Sequence, residues 1–320
     1  MVKVRDIKIV DLTPVIRNPK HMPKINAESI SFVLEGVDNS VANAIRRCVL
    51  SELLVSAMVC ERTTIVTNDL AIIGRMIQER IRQIPLMQTC PLDAKFELRV
   101  NSAPGQMFEV KTSNIKITYP GKGTRERPAL KELPFNENIT LLMLNPERSI
   151  VITDIGVEQR YNIAPEYAMH AAAFNAASVP VDVEPINQYD PNDGVTSRTQ
   201  NAQVWRVLFT TNGTMPAKRV VMYACDTILA RITAISEQID SIRSENSEYT
   251  MVVAGETDTI GNLLSRTINR LYPEIGAAIH NVKNGSMTMR VQCTEDITDV
   301  YQYAVKDLTR IFRDIRKAFE

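Results

Sequence analysis

SFVLEGVDNSVANAIRRCVL, residues 31–50, aligns without a gap on TMVVAGETDTIGNLLSRTIN, residues 250–269, and this internal repeat decides the fold. Gly36 meets Gly255, Ser40 meets Thr259, Asn43 meets Asn262 and Arg47 meets Arg266. Both copies open on a period-two strand, with Phe32 and Leu34 on one face of the first and Met251 and Val253 on one face of the second. A glycine turn follows each. Ser40 and Thr259 then stand where an N-cap would accept a backbone N–H at the start of a helix, and the Asn and the Arg four residues later share one helical face.

A strand, a turn and a helix are common, so the identities alone leave chance open; the sequel of each copy argues against it. Gln203 to Thr211 reads as a strand, Asn212-Gly213 as a turn and Pro216 as the first turn of a helix. Val221, Cys225, Ile228, Ile232, Ile235, Ile239 and Ile242 follow at steps of three and four. After the second copy, Ser286 to Cys293 is the strand and Ile297, Tyr301, Ala304, Leu308, Ile311, Ile315 and Phe319 mark the helix. Narrow stripes of this kind pack helix on helix. Ile228, Ile232, Ile235 and Ile239 are therefore expected to meet Leu308, Ile311 and Ile315.

Working outward, Arg243 to Glu248 is polar and reads as a linker, at 244–248, between two related units. The first unit is expected at 1–90 and 202–243, the second at 249–320. Joined on one chain, they pair at an effective concentration on the order of millimolar. Between the pieces of the first unit, 91–201 is dense in turn signals, including Tyr119-Pro120-Gly121, Asn145-Pro146 and Asp193-Gly194, and reads as an inserted, mostly β domain. Before it, Asn68 to Ile84 is expected to be helical, with Ile73, Ile77 and Ile81 on one side and Pro85 ending it. The class is α+β: two sheet-plus-helix units forming an intramolecular pseudo-dimer, with an insert.

Composition sets limits on function. The 320 residues hold 37 Lys plus Arg against 37 Asp plus Glu, so the chain carries no excess charge for coating phosphates; nucleic acid is expected only indirectly. Cys48, Cys60, Cys90, Cys225 and Cys293 lie far apart, with no CxxC pair and no Cys/His spacing of a zinc site. They read as reduced thiols of an intracellular protein. MVKVRDIKIV lacks the apolar stretch of a secretory leader, and no run reaches transmembrane length, so no membrane partner is expected.

Asn43-Ala44-Ile45-Arg46-Arg47 running into Leu50-Ser51-Glu52 resembles the alpha-type assembly subunits of multisubunit RNA polymerases: bacterial alpha, the archaeal D subunit and the eukaryotic third-largest subunit. Their pattern there is N-A-L-R-R followed by L-S-E. Residues 79–86, ERIRQIPL, are similar to that family's H-R-L-G-L-I-P-L segment but depart from it at the first and fourth positions. Ala164-Pro165-Glu166-Tyr167-Ala168 and His170 to Ala173 faintly resemble its insert segment around A-K-W-x-P-A-A. Residues 255–264, GETDTIGNLL, resemble the G-E-x-H-T-L-G-N-L-L signature of the small partner, the archaeal L or eukaryotic eleventh subunit. His280-Asn281 and Arg290-Val291-Gln292 stand near its P-H-P and R-I-Q positions.

The order implies a large-plus-small subunit fusion of the kind associated with large DNA viruses, which would put it in a host cytoplasm and a virion. The resemblance implies a non-catalytic platform on which the two largest polymerase subunits and small assembly subunits gather. It also implies Asn43, Arg46 and Arg47 as the contact to a large subunit. An Arg fork on a rigid helix suits a partner carboxylate or carbonyl. The plainer alternative is that Arg46 or Arg47 covers the unit's own surface. Many members carry a metal or iron–sulfur cysteine cluster in the insert; with no cysteine between Cys90 and Cys225, neither that site nor any cofactor is expected.

Catalytic signals are weak. Gly121-Lys122-Gly123-Thr124 lacks phosphate-loop spacing and reads as a basic hairpin tip. His21, His170 and His280 fall in separate segments without a nucleophile motif. Asp190 to Gly194 has the oxygens of a calcium loop without the downstream ligands. Gly261 and Asn262 read as structural, the one for close packing and the other for local backbone bonds. A helix-paired scaffold unrelated to transcription remains the second reading, and a small-molecule enzyme the third.

Overall fold

Two four-stranded antiparallel sheets with the same strand order carry the repeat. In the computed structural model, which describes residues 2–12, 27–118, 134–135, 139–161, 173–181, 203–238, 242–245, 248–273, 278–283, 285–292 and 296–320, the first sheet runs β1 (Lys3–Asp11), β2 (Glu28–Glu35), β11 (Val204–Thr211), β10 (Ala173–Pro180). The second runs β12 (Arg243–Glu245), β13 (Glu248–Ala254), β15 (Ser286–Gln292), β14 (Ala278–Lys283). In each, the central pair is antiparallel and each central strand is followed by a helix. β2 leads into α1 (Asn39–Arg47), and β11 into α3 (Ala217–Ser236). β13 leads into α4 (Asp258–Leu271), and β15 into α5 (Ile297–Lys317).

Local chemistry sets the matching turns. Gly36 and Gly255 hold φ of 75° and 76°, a conformation that a side chain at either position would disfavour. The caps stand two residues before the Ser and Thr named above. Asp38 accepts from the N–H groups of Ser40 and Val41, and Thr257 from that of Thr259. Asp38 and Thr257 are themselves equivalent in the repeat. Ser40 and Thr259 are inside their helices and buried.

The four helices lie between the sheets. α3 packs on α5 and α1 on α4, and one continuous apolar core runs through both sheets and all four helices. Phe32 of β2 and Phe319, just past α5, meet edge-on with ring centroids 4.9 Å apart.

A second, separate core lies under β3 (Leu54–Val59), β4 (Ile65–Thr67), β5 (Lys95–Asn101), β7 (Ile115–Thr118) and the long β9 (Ser149–Tyr161), with the hairpin-like pair β6 (Phe108–Lys111) and β8 (Thr140–Leu144) and helix α2 (Gly74–Arg82). Its members begin at Met58 and include Ile77, Ile81, Ile84 and Cys90. The boundary expected at residue 91 is therefore displaced. β3 pairs with β9, so 54–90 belongs largely with the β-rich core. At the other end β10, inside the expected 91–201 insert, pairs with β11 and completes the first sheet.

Three further expectations are corrected. α2 begins at Gly74, not Asn68, because Asp69 is buried and folds the preceding segment into a turn; its carboxylate accepts from the N–H of Ala71 and from the N–H and Nδ2 of Asn145. Ile73 is left exposed. α3 stops at Ser236, where the Ser236 hydroxyl donates to the Thr233 carbonyl; Ile239 lies outside the described residues, and Ile242 follows the helix, half-buried against the core. Arg243–Glu245, expected to begin the linker, is an edge strand of the second sheet. The Gly121 and Asp190 loops, His21, His170 and residues 164–172 also lie outside the described residues.

Candidate functional site

The most concentrated polar chemistry in the described residues sits where α1 and α3 face the start of α4. α1 continues into a π-helical turn, Cys48–Glu52, which seats Cys48 and Val49 in the core and leaves Glu52 at its end with 4% of its surface exposed. A carboxylate at that depth needs partners. Arg231, on α3, pairs with Oε2 of Glu52 and with Oε2 of Glu256 at 2.6 Å, and donates to Thr257 Oγ1 at 2.9 Å. Thr259 Oγ1 donates to Glu52 Oε1 at 2.5 Å, and Arg47 Nε donates to Thr259 Oγ1 at 2.8 Å. Arg47 also stands 3.8 Å from Glu52.

The cluster balances two carboxylates against two guanidinium groups. Burial alone would lower the Arg231 guanidinium, but hydrogen bonding to Glu256 and the charges of Glu52 and Glu256 more than offset it and hold it above its ordinary range. Such a cluster adds little net stability compared with apolar packing, yet breaking it from one side leaves a charge without compensation.

The three residues expected to contact a large partner are divided by the geometry. Asn43 and Arg46 form a unit of their own on α1: Asn43 Oδ1 accepts from Arg46 Nε at 2.9 Å and Nη2 at 2.7 Å. Both are partly exposed, and burial followed by the charge of Arg47 lowers the Arg46 guanidinium. Arg47 instead turns its Nε toward α4. Arg266, its counterpart in the repeat, is exposed. Ile228, Ile232 and Ile235 of α3 and Leu308, Ile311 and Ile315 of α5 are all buried in the shared core.

Glu52, Arg231 and Glu256 carry most of the cluster and were not singled out by sequence. Glu52 lies in the L-S-E segment and Glu256 in the GETDTIGNLL segment, so the motifs held the signal. Arg231 had none, being one of three cations of a mostly apolar helix, with no motif around it.

The cysteines of the described residues are buried, and burial raises the thiol pKa of all four, Cys60 and Cys90 to about 11. They are poor nucleophiles there. Among the described residues no group of three or more His, Cys, Asp or Glu is placed to hold a metal ion, and no helix is long and apolar enough to cross a membrane.

The RNA polymerase Rpb3/Rpb11 dimerisation domain family model matches residues 31–231, from β2 through Arg231. The chain belongs to that family. Its α+β fold and the resemblance read at 43–52 agree with this. Among its relatives, the DNA-directed RNA polymerase subunit Rpo3 of Pyrococcus furiosus is 32% identical over 126 residues, covering 39% of this chain and 46% of the relative. The Rpo3 of Pyrobaculum islandicum is 30% identical over 132 residues, covering 38% and 48%. The chain thus spans about half the length of the curated relatives it matches.

Proposed function

We propose that the protein is a non-catalytic assembly subunit of a multisubunit DNA-directed RNA polymerase, in which a large-type and a small-type alpha-like unit are fused and pair within one chain. The observation that carries this reading is the second four-stranded sheet with its two helices, which lies beyond the family match at 31–231 yet repeats the strand order and helix placement of the first. A separate small subunit would supply that unit in trans; here it follows on the same chain. The polar cluster then specifies the pairing, the α3 and α5 seams supply its apolar area, and the β-rich module is the insert. The two largest, catalytic subunits assemble on the outer surface, Asn43 and Arg46 meeting one of them while Arg47 serves the internal pair. A viral source, with the host cytoplasm and virion as its locations, fits the fusion.

Affinity capture of the tagged chain from its native source tests the function. Two large co-purifying chains that together incorporate nucleotides, with the isolated chain inactive, support it. Capture of neither, or incorporation by the chain alone, overturns it and favours an unrelated helix-paired scaffold.

A further inference from the structure

The outer face of α5 is not used by the pairing. There an open groove of about 560 Å³ runs between this helix and the end of α4, with Leu271 on one wall and Tyr303, 61% exposed, at one end. Lys306, Arg310 and Arg313 follow Tyr303 along the same face at steps of three and four, over roughly 15 Å at the helical rise. Asp307 is 10% exposed in its side chain and is held from both sides, by Arg270 Nη2 at 2.5 Å and Arg310 Nη2 at 2.5 Å. Its charge is therefore neutralised in place, and it stiffens the two arginines instead of repelling an anion. Among the described residues no carboxylate pairs with Lys306 or Arg313. Complementing the helix dipole accounts for Arg316 and Lys317 in the last turn but not for cations two and three turns earlier.

We propose that this groove is a docking site for an acidic peptide segment of a partner protein, carrying an aliphatic or aromatic side chain that lies between Leu271 and Tyr303. Lys306, Arg310 and Arg313 line the groove against two carboxylates, Asp307 and Asp314, and Arg270 adds a fourth cation through its bond to Asp307, so that in a chain balanced at 37 and 37 the imbalance is local. It is too small for nucleic acid, whose binding rests on many phosphate contacts at once. It suits two or three carboxylates on an extended segment, where about five residues span the stripe. An apolar anchor between charges is the usual composition of such recognition. The inference rests on this surface alone and stands whether or not the chain serves a polymerase.

The test uses the full chain and three fluorescent probes of about ten units: a Glu/Asp peptide containing Leu and Phe, the same peptide with Gln/Asn for Glu/Asp, and a single-stranded oligodeoxynucleotide. Saturable binding of the acidic peptide is expected, weakened about tenfold or more by K306E with R313E, both exposed positions outside the core, and several-fold by Tyr303→Ala, with thermal stability of each variant close to that of the parent. The neutral peptide should not bind. Failure of the acidic peptide to bind, equal binding of the neutral one, indifference to the charge reversals, or displacement of the peptide by a tighter-binding oligonucleotide would each overturn the proposal.

Discussion

Arg47 Nε donates to Thr259 Oγ1 at 2.8 Å, and that hydroxyl in turn donates to Glu52 Oε1. Residues from the two copies of one repeat thus close on a single buried carboxylate. The relationship is not reciprocal: Arg266, the repeat counterpart of Arg47, is exposed, and Ser40, the counterpart of Thr259, donates to its own cap, Asp38. A joint built from one side only can tell the two units apart.

Glu52→Gln should therefore cost much more than Arg47→Ala. Removing the Glu52 charge leaves Arg231 with Glu256 alone in a site where both partners are under 15% exposed, a loss of about 3 kcal/mol or more. The Arg47 side chain is 37% exposed, and solvent screening limits its loss to about 1 kcal/mol. Urea denaturation of both variants measures this; equal losses would show that Glu52 is not the centre of the cluster.

Gly261→Ala should destabilise by about 1–3 kcal/mol through overpacking. A Cβ there would lie 2.5 Å from His280 Cδ2 and 2.9 Å from Met287 Sδ, so α4 cannot keep its seat on β14 and β15. Thermal melting checks it, and His280→Ala in the same chain should recover part of the loss. A melting temperature unchanged by G261A would mean the helix has room to shift.

Stability should fall as the solution is acidified, in part through His280. Burial disfavours the charged imidazolium and outweighs the opposing pull of Asp258, so the folded pKa of His280 lies below the ordinary 6.5. The unfolded chain then binds more protons than the folded one, and the contribution is complete above 6.5 and lost as pH falls through the folded value. Urea melts across this range should show a shallower pH dependence for His280→Gln; identical slopes would remove His280 from the account.

Phe32 and Phe319 should show a favourable coupling of about 0.5–1.5 kcal/mol in a double-mutant cycle, because their rings meet edge-on across the two units. Phe319→Ala alone should cost about 3 kcal/mol as a cavity opens against β2. Additive losses would mean that each ring packs on other neighbours.

Asn43 and Arg46 show how far sequence reasoning reached into the site. The spacing of four put Asn43 with Arg47 on one helical face, and the motif resemblance pointed at Asn43, Arg46 and Arg47 on the same helix. That Asn43 would hold the Arg46 fork, and that Arg47 beside it would turn to α4, depends on rotamers set by what surrounds α1. Asp69 gives the parallel lesson for the fold. An apolar period through Ile73, Ile77 and Ile81 suggested a long helix, but a buried carboxylate bonded to Asn145, distant in sequence, holds the first part as a turn.

The sequence by itself determined that a unit recurs, where its strands and helices lie, and which stripes of α3 and α5 are buried, because strand and helix periods and glycine turns are written within a few residues of one another. Tertiary structure alone decided that β10 completes the first sheet, that 54–90 joins the β-rich core, and that Glu52, Arg231 and Glu256 converge. Those pairings join segments far apart in the chain, and no local period records which distant strand or charge will complete a sheet or neutralise a buried carboxylate.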